Sequence, residues 1–284
     1  MTVINTLVNG VSASSISIND RGFNYGDGVF ETIAYTKSEP VFWQQHLQRL
    51  SQGCELLGIT CPKEDILVKD IDLLTESLNG HEDCVIKIVV TRGDSERGYR
   101  VPDNPVSRIV LTLSSYPSYP ASYWENGVDI TTCKTTLSSQ ERLAGIKHLN
   151  RLEQVLARQE WDNEYQEGLM LNISGHVVEA VMSNVFVIEN SQIITPRIDC
   201  EGVKGVMRDV VLKLCESNGI MTMEDNLTLE RVLFADEVFL TNSLIGVWPV
   251  KSINKTIMPV GSVTRKIRQD LINKYEVDYA SLAL

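Results

Sequence analysis

The segment Leu143-Ala144-Gly145-Ile146-Lys147-His148-Leu149-Asn150-Arg151-Leu152 carries the residue on which the interpretation of the whole sequence depends. Within it, Lys147 lies between an apolar stretch and the start of a predicted helix. A lysine there can simply be exposed to water. If it is desolvated instead, its pKa falls and its amine becomes a nucleophile toward aldehydes. The segment marks Lys147 as a candidate reactive lysine and leaves the exposed alternative open.

Two further charged residues can be interpreted in two ways. Glu179 stands in the apolar run Val177-Val178-Glu179-Ala180-Val181. Its carboxylate either faces outward or is buried with a partner, because unpaired burial costs several kcal/mol. Arg49 lies on the first predicted helix and, taken alone, is typical of a solvated surface arginine.

The loop Gly202-Val203-Lys204-Gly205-Val206-Met207 leads directly into a predicted helix. Backbone N–H groups at a helix start have no partner within the helix, and the helix dipole favours an anion there. The loop is therefore a candidate phosphate site, although many glycine-rich turns before helices are only turns.

The first part of the sequence alternates short strands with helices. Strands are predicted at Val3–Asn9, Val29–Thr36, Val41–Trp43, Cys84–Thr91 and Arg108–Ser114. Apolar residues recurring every three or four positions predict one helix from about Gln44 and a second after Pro62. The second helix is expected to end at Asn79-Gly80.

The second part has a similar mixture. Strands and hairpins are predicted at Val128–Cys133, Gly168–Val187 with a turn at Ser174-Gly175, Ile220–Glu224 and Glu237–Thr241. Helices are predicted at Leu149–Trp161, Val206–Ser217 and Val263–Tyr275. Leu152, Val155, Leu156 and Gln159 lie on one side of the first of these helices.

This order of elements predicts an α+β fold in both halves rather than a βαβ series. Prolines and serines replace the periodic pattern at residues 114–120, which indicates a boundary there. We therefore expect an N-terminal domain over residues 1–116, a linker over 117–126 and a C-terminal domain over 127–284 that carries Lys147.

Composition narrows the class of protein. The net charge of −11 argues against nucleic acid as a partner, because phosphate neutralisation needs a basic surface. The six cysteines and four histidines show no spacing typical of a metal site, so no metal is expected. Neither a signal peptide nor an apolar run of membrane-spanning length is visible. These features predict a soluble cytoplasmic protein.

Together the segments resemble the fold-type IV enzymes that use pyridoxal 5′-phosphate (PLP), a family that includes branched-chain and D-amino-acid aminotransferases and aminodeoxychorismate lyases. The resemblance rests on residues 20–32, 46–50, 143–156, 179 with 183–184, 205–208, 236–238 and 241–243. It implies a two-domain α+β fold like that of the D-amino-acid aminotransferases, with a smaller N-terminal α/β domain and a larger C-terminal pseudo-barrel domain. It also implies a homodimer.

The resemblance assigns a role to each matching residue. Lys147 is similar to the lysine that binds PLP covalently and moves protons, and Glu179 is similar to the carboxylate that pairs with the pyridine nitrogen. The residues that match the phosphate site are Arg49, Val206, Met207 and Ser243.

Within the family, residues 144–156 and the loop containing Arg97-Gly98-Tyr99 are most similar to the aminodeoxychorismate lyases. That resemblance implies conversion of 4-amino-4-deoxychorismate to 4-aminobenzoate and pyruvate, a step toward folate. Thr32 is then expected to act in catalysis. The residues expected to bind the dicarboxylate substrate are Tyr25, Arg97 and Asn242. Three alternatives remain open, namely an aminotransferase for branched-chain or D-amino acids, a PLP-binding or scaffolding homologue without activity, and an α+β protein without a cofactor.

Overall fold

The computed structural model describes residues 2–76, 78 and 82–283. Contacts divide the chain into two compact units. Unit 1 comprises Met1–Pro117 together with Ile146–Asn150, and unit 2 comprises Ser118–Gly145 and Arg151–Leu284. The segment that contains Lys147 thus groups with unit 1, whereas the sequence had placed this lysine in the C-terminal domain. The end of the helix predicted at Asn79-Gly80 lies outside the described residues.

The helices of the described residues are α1 Arg21–Tyr25, α2 Trp43–Leu57, α3 Glu64–Thr75, α4 Ser122–Glu125, α5 Leu152–Arg158, α6 Val206–Ser217, α7 Leu229–Leu233, α8 Ser262–Tyr275 and α9 Tyr279–Leu282. The strands of unit 1 are β1 Val3–Val8, β2 Val11–Ser12, β3 Gly28–Thr36, β4 Glu39–Pro40, β5 Cys84–Thr91 and β6 Arg108–Ser115. Those of unit 2 are β7 Val128–Thr132, β8 Glu167–Leu171, β9 His176–Ala180, β10 Asn184–Glu189, β11 Gln192–Pro196, β12 Thr222–Asp225, β13 Leu227–Thr228, β14 Glu237–Asn242, β15 Gly246–Ile253 and β16 Thr256–Ile257.

Unit 1 is built on an antiparallel sheet with the strand order β2-β1-β6-β5-β3-β4. Alternate residues of β5, such as Ile86, Ile88 and Val90, are fully buried in one cluster with apolar residues of α2 and α3. This alternation follows from the two-residue period of a strand, which sends every second side chain to the same face. The sheet thereby fixes which residues of β3 face α2.

Residues 146–150 run alongside the first part of β3. Phe30 N donates to Lys147 O at 2.9 Å, and Leu149 N donates to Gly28 O at 3.0 Å. His148 is bridged to Val29 in antiparallel orientation. The helix predicted from Leu149 consequently begins later, at Leu152, because the backbone groups of the preceding residues are already used by β3.

Unit 2 contains a ten-stranded mixed sheet with the path β12-β11-β10-β14-β15-β7-β8-β9-β13, and β16 pairs with β15. β10, β14 and β15 are antiparallel neighbours, whereas β7 runs parallel to both β15 and β8. Helices and strands are mixed in both units, which confirms the predicted α+β class. In the described part of the chain, no helix combines the length and apolarity needed to cross a membrane.

The structure differs from the sequence analysis at several elements. The strand predicted at Val41–Trp43 does not form, because Phe42 adopts a left-handed conformation with φ of 54° and Trp43 already begins α2. On α5 the apolar residues Leu152, Val155 and Leu156 are exposed, and Gln154 and Ala157 are the buried residues. Strand β15 and the short helix α1 were not predicted.

Candidate active site

Lys147 lies on unit 1 beside an aromatic ring. Its Nζ is 4.4 Å from the centroid of the Phe30 ring, a distance typical of a cation–π contact. Thr32 is two residues further along β3, half-buried and paired with Lys87 of β5. Since side chains two apart on a strand share a face, Phe30 and Thr32 lie on the same side of the sheet. The structure therefore brings the predicted reactive lysine and Thr32 to the same strand.

Arg49 is held by a buried carboxylate, and its interpretation as a solvated arginine was wrong. Its Nε donates to Glu31 Oε1 at 2.8 Å and its Nη2 to Glu31 Oε2 at 2.5 Å. His46 Nδ1 lies 2.6 Å from Glu31 Oε2. The three side chains form a buried cluster that fixes the Arg49 guanidinium as a fork.

Charge and burial compete in this cluster. Burial raises the pKa of the Glu31 carboxyl, but Arg49 and His46 outweigh this effect and lower the pKa to about 2. Burial lowers the pKa of His46, and the nearby charges of Arg49 and Lys147 lower it further, while Glu31 opposes them. His46 Nε2 is buried and has no hydrogen-bond partner. Glu31 therefore remains ionised over the whole neutral range and can hold Arg49 in place.

Neither Glu31 nor His46 was identified from the sequence as a site residue. A signal was nevertheless present, since Glu31 interrupts an apolar strand and His46 precedes Arg49 by one helical turn. A carboxylate in such a strand needs a partner, and a histidine and an arginine three positions apart on a helix share a face.

Glu179 on β9 is buried in unit 2 with 5% of its surface exposed. Its Oε2 accepts from Val203 N at 2.8 Å, and its Oε1 accepts from Gln154 Nε2 at 3.4 Å. Arg151 is close enough that the charge of Glu179 raises its pKa, although burial, the larger effect, lowers it. Of the two sequence interpretations of Glu179, the buried carboxylate with partners is correct. Gln154 was not anticipated as one of them.

The loop before α6 is anchored from β10. Asn184 Nδ2 donates to Val203 O at 2.8 Å. Gly205 is the N-cap of α6 and provides no side-chain hydrogen bond to the helix. A Cβ at Gly205 would collide with Asn184 Oδ1, so only glycine fits this approach. The backbone N–H groups of Val206 and Met207 thus begin a helix that has an anion-binding end and no side-chain cap.

Ser243 lies half-buried in the turn between β14 and β15. The neighbouring Asn242 organises that turn, since its Oδ1 accepts from Leu244 N at 2.8 Å and from Ile245 N at 3.0 Å. Its Nδ2 donates to Met182 O and Ser183 Oγ at 3.3 and 3.2 Å. The amide of Asn242 is engaged within the protein, and its role toward substrate stays a prediction.

Glu167 on β8 is a second buried carboxyl of unit 2, and like Asn242 it contacts the backbone of Met182. It is fully buried, its Oε2 accepts from Met182 N at 3.0 Å, and its Oε1 has no partner. Burial raises the pKa of Glu167 to about 8, and the negative charge of Glu179 contributes in the same direction. The sequence analysis did not single out this residue.

Tyr25 and Arg97, the other predicted substrate residues, belong to unit 1. Tyr25 Oη accepts from Gly98 N at 3.2 Å, and its ring lies 5.4 Å from that of Tyr99. Arg97 is exposed on the loop between β5 and β6. The structure therefore places Tyr25 against the same loop that carries Arg97.

The donor set fits PLP. A cofactor of this kind needs an amine for its aldehyde, a carboxylate for its pyridine nitrogen and a cluster of N–H donors for its phosphate. Unit 1 contains an amine and a guanidinium of these kinds in Lys147 and Arg49, and unit 2 contains the buried carboxylate of Glu179 and the start of α6, which has no side-chain cap. Among the described residues, no group of three or more histidine, cysteine or acidic side chains is placed to hold a metal ion.

Comparisons with known proteins identify the family. A family model described as amino-transferase class IV matches residues 28–253. Aminodeoxychorismate lyase from Vibrio harveyi is 38% identical over 272 residues, which cover 93% of this chain and 98% of the relative. A putative branched-chain-amino-acid aminotransferase from Methanocaldococcus jannaschii is 31% identical over 263 residues, 90% of each chain.

One solved structure extends the comparison to three dimensions. The crystal structure of 4-amino-4-deoxychorismate lyase from Pseudomonas aeruginosa has a TM-score of 0.89 and 40% identity, and the match covers 96% of this chain and 100% of that one. The predicted resemblance to the fold-type IV enzymes is therefore confirmed. The chain belongs to the class IV aminotransferase family.

Proposed function

We propose that this protein is a PLP-dependent lyase that converts 4-amino-4-deoxychorismate to 4-aminobenzoate and pyruvate. The observation that carries the proposal is that the Vibrio and Pseudomonas lyases match nearly the whole chain at 38% and 40% identity. The Methanocaldococcus aminotransferase, at 31%, is a more distant relative. An aminotransferase remains the second candidate because it would use the same cofactor residues.

Each cofactor residue has a distinct task. Lys147 holds PLP covalently, and the buried carboxylate of Glu179 pairs with the pyridine nitrogen and keeps it protonated. Arg49, Ser243 and the N–H groups of Val206 and Met207 bind the phosphate. When bound, PLP withdraws electrons from the substrate carbon that carries the amine, so that the proton on this carbon becomes acidic.

The substrate amine takes the place of the Lys147 amine on the cofactor, and the freed Lys147 amine then performs the proton transfers. This lysine amine removes the proton from the ring carbon that bears nitrogen, and the ether bond to the enolpyruvyl group breaks as the ring becomes aromatic. The same amine returns a proton to the departing three-carbon unit, which leaves as pyruvate. Thr32 lies on the strand beside Phe30 and Lys147 and supplies a hydroxyl for the substrate.

Substrate recognition depends on charge, since the substrate carries two carboxylates in an otherwise acidic protein. Arg97 binds one of them, because a guanidinium matches a carboxylate with two parallel hydrogen bonds. Tyr25 supports the loop of Arg97 through Gly98, and Asn242 shapes the turn next to Ser243.

The active form is a cytoplasmic homodimer. Four large apolar side chains of unit 1, namely Ile18, Phe23, Tyr99 and Val106, are between 69% and 85% exposed. Exposed apolar groups of this density favour burial by a second copy of the chain. All six cysteines are free thiols, as is usual in a reducing compartment.

The test compares wild type with Lys147→Ala in two assays, one with 4-amino-4-deoxychorismate and one with an amino donor and 2-oxoglutarate. We expect 4-aminobenzoate and pyruvate from the first assay and no amino transfer in the second. Lys147→Ala should lower the lyase rate by about 10³-fold or more, because it removes both the covalent anchor and the proton carrier.

Lys69→Ala is the matched control, since Lys69 is an exposed lysine of α3. Treating the PLP-bound protein with borohydride should reduce the bond between PLP and lysine. The peptide containing Lys147 should then carry a stable phosphopyridoxyl group in wild type and in the control. Full lyase activity in Lys147→Ala would refute the assignment, and amino transfer without 4-aminobenzoate would favour the aminotransferase.

A further inference from the structure

Arg21 of α1 is an arginine without an assigned role that is 4% exposed. Its guanidinium donates to three successive backbone carbonyls of the β5–β6 loop, those of Gly98, Tyr99 and Arg100, at 3.1, 3.2 and 3.3 Å. It also donates to Ser95 Oγ at 3.1 Å. One side chain thus holds both ends of residues 95–100.

The charge of Arg21 is balanced by Asp27, which it shares with Arg92. Arg21 Nε and Arg92 Nε both lie 2.7 Å from Asp27 Oδ2. Burial raises the pKa of the Asp27 carboxyl, but Arg92 and Arg21 outweigh this and lower it. Asp27 therefore stays ionised at neutral pH and fixes the orientation of both guanidinium groups.

Arg92 continues the connection to the helix that carries Arg49. Its Nη1 and Nη2 donate to Gly58 O and Leu57 O at 2.8 and 2.7 Å, at the C-terminal end of α2. Within unit 1, a continuous chain of hydrogen bonds thus joins the end of α2 to residues 95–100 through Asp27.

A second contact supports the loop from the same helix as Arg21. The Arg21 guanidinium lies 5.0 Å from the centroid of the Tyr25 ring, and Tyr25 Oη accepts from Gly98 N. Gly98 has φ of 110°, a backbone conformation that residues other than glycine rarely adopt. The loop is therefore held in one specific shape, whereas Arg97 and Tyr99 at its tip are exposed.

We propose that Arg21 is a positioning residue that holds residues 95–100 in the conformation in which Arg97 binds a substrate carboxylate. The substrate part of this inference rests on the proposed function, and the loop part does not. Lysine cannot replace Arg21, because a single ammonium cannot reach the side-chain and carbonyl acceptors that the planar guanidinium contacts together.

The first experiment measures steady-state kinetics, the Kd for PLP and amide hydrogen exchange in Arg21→Lys. We expect the KM for 4-amino-4-deoxychorismate to rise about tenfold, which corresponds to about 1.4 kcal/mol, while kcat and the Kd for PLP stay within about twofold. The amides of Ser95 and Gly98 should exchange at least about tenfold faster than in wild type.

Arg100→Lys is the matched control, because it makes the same substitution at the end of the same loop. The Arg100 side chain is exposed, and its ion pair among the described residues is with the exposed Asp103. It should leave KM and loop exchange at wild-type values. Ser95→Ala removes a single acceptor of Arg21 and is the variant to use if Arg21→Lys does not fold. In Ser95→Ala we expect the amide of Gly98 to exchange at least about twofold faster than in wild type.

The proposal would be overturned if the amides of Ser95 and Gly98 exchange at wild-type rates in a folded Arg21→Lys variant. If only Ser95→Ala folds, a wild-type exchange rate at Gly98 in that variant would overturn it. So would a uniform loss of kcat, PLP binding and protection throughout unit 1, since that pattern indicates a general structural role. If wild type has no lyase activity, or if Arg97→Met leaves KM unchanged, the proposed substrate role fails. The exchange measurement then still decides whether Arg21 holds the loop.

Discussion

The cluster of Glu31, His46 and Arg49 fixes the guanidinium that we propose binds the cofactor phosphate. Holding Arg49 in one rotamer costs side-chain entropy, and the two hydrogen bonds from Glu31 offset this cost within the fold. The buried carboxylate is stable only because both partners are present.

Glu31→Gln tests this arrangement. A carboxyl whose pKa is lowered in the folded protein stabilises the fold above its unfolded pKa, and this contribution is lost as the pH falls from 4.5 to about 2. We therefore expect Glu31→Gln to lower the free energy of unfolding at pH 7 by about 3 kcal/mol. The Kd for PLP should rise about tenfold.

Urea unfolding at several pH values and titration of the apoenzyme with PLP provide the measurements. Glu55→Gln, at an exposed position of α2, the helix that carries Arg49, should change neither quantity. Equal stability of Glu31→Gln and wild type at pH 7 would contradict the role given to this carboxylate.

The pKa of Glu167 is shifted in the opposite direction from that of Glu31. Its folded pKa of about 8 lies above the model-compound value of 4.5, so the protein loses stability as the pH rises from 4.5 to 8. Glu167→Gln keeps an oxygen for Met182 N without carrying a charge. We expect this variant to be more stable than wild type by roughly 4 kcal/mol at pH 8 and nearly equal to it near pH 4.5.

Thermal unfolding at the two pH values provides the measurement, with the exposed Glu216→Gln of α6 as control. A variant less stable than wild type at pH 8 would show that the Glu167 carboxylate is ionised and paired in the folded protein.

The site residues differ in how far the sequence could reveal them. Lys147, Arg49 and Glu179 were identified because they fall in recognisable segments. Glu31 and Gln154 contact these residues only after the chain folds, from 18 and 25 positions away. Such partners depend on the register of strands and helices, which a single sequence does not specify.

At the scale of elements, the start of α6 depends on close approach of β10 to the loop before it. Gly205 has φ of −69°, so its backbone conformation suits any residue and only the space beside Asn184 demands glycine. The proposed phosphate site is thus shaped by packing rather than by backbone strain.

Gly205→Ala should therefore displace Asn184 and with it the start of the helix. We expect the Kd for PLP to rise at least about tenfold, because the N–H groups of Val206 and Met207 shift away from the phosphate. Fluorescence titration of the apoenzyme with PLP measures the effect.

Gly219→Ala at the other end of α6 is the control. Gly219 has open space around it and φ of 68°, so this substitution should cost about 1 kcal/mol of stability and leave PLP binding unchanged. Equal PLP affinity in both variants would argue against the role of Gly205.

The elements of long, regular pattern were predicted with nearly correct bounds, as β5 and α6 show. Predictions failed where tertiary contacts override the local pattern. On α5, apolar residues at helical spacing are exposed and the polar Gln154 is buried against Glu179. The backbone before α5 pairs with β3, which no local signal indicates.

At the scale of the whole molecule, the proposed homodimer places the exposed apolar residues of unit 1 in an interface. The segments that carry them are joined by the hydrogen bond from Arg21 N to Gly93 O at 2.8 Å. Light scattering should give twice the chain mass of 31.8 kDa for wild type. Phe23→Glu should shift the mass toward the single chain, because a charge at an interface core costs several kcal/mol.

Phe234→Glu is the control, since Phe234 of unit 2 is 82% exposed and lies outside that group of residues. A monomeric wild type would contradict the homodimer, and a dimeric Phe23→Glu would place the interface elsewhere.

Residues 146–150 belong to unit 1 but are translated after residues 118–145 of unit 2. Unit 1 therefore cannot be completed as soon as residue 117 has been made. When the ribosome has made residues 1–117, the edge of β3 at Gly28–Phe30 still lacks its neighbour. At about 5–20 residues per second, roughly 2 to 7 seconds pass before residue 150 is added. During that interval the nascent chain carries an unpaired strand edge, a feature that invites association with other chains. Newly made protein is therefore most exposed to aggregation before the segment of its reactive lysine has been translated.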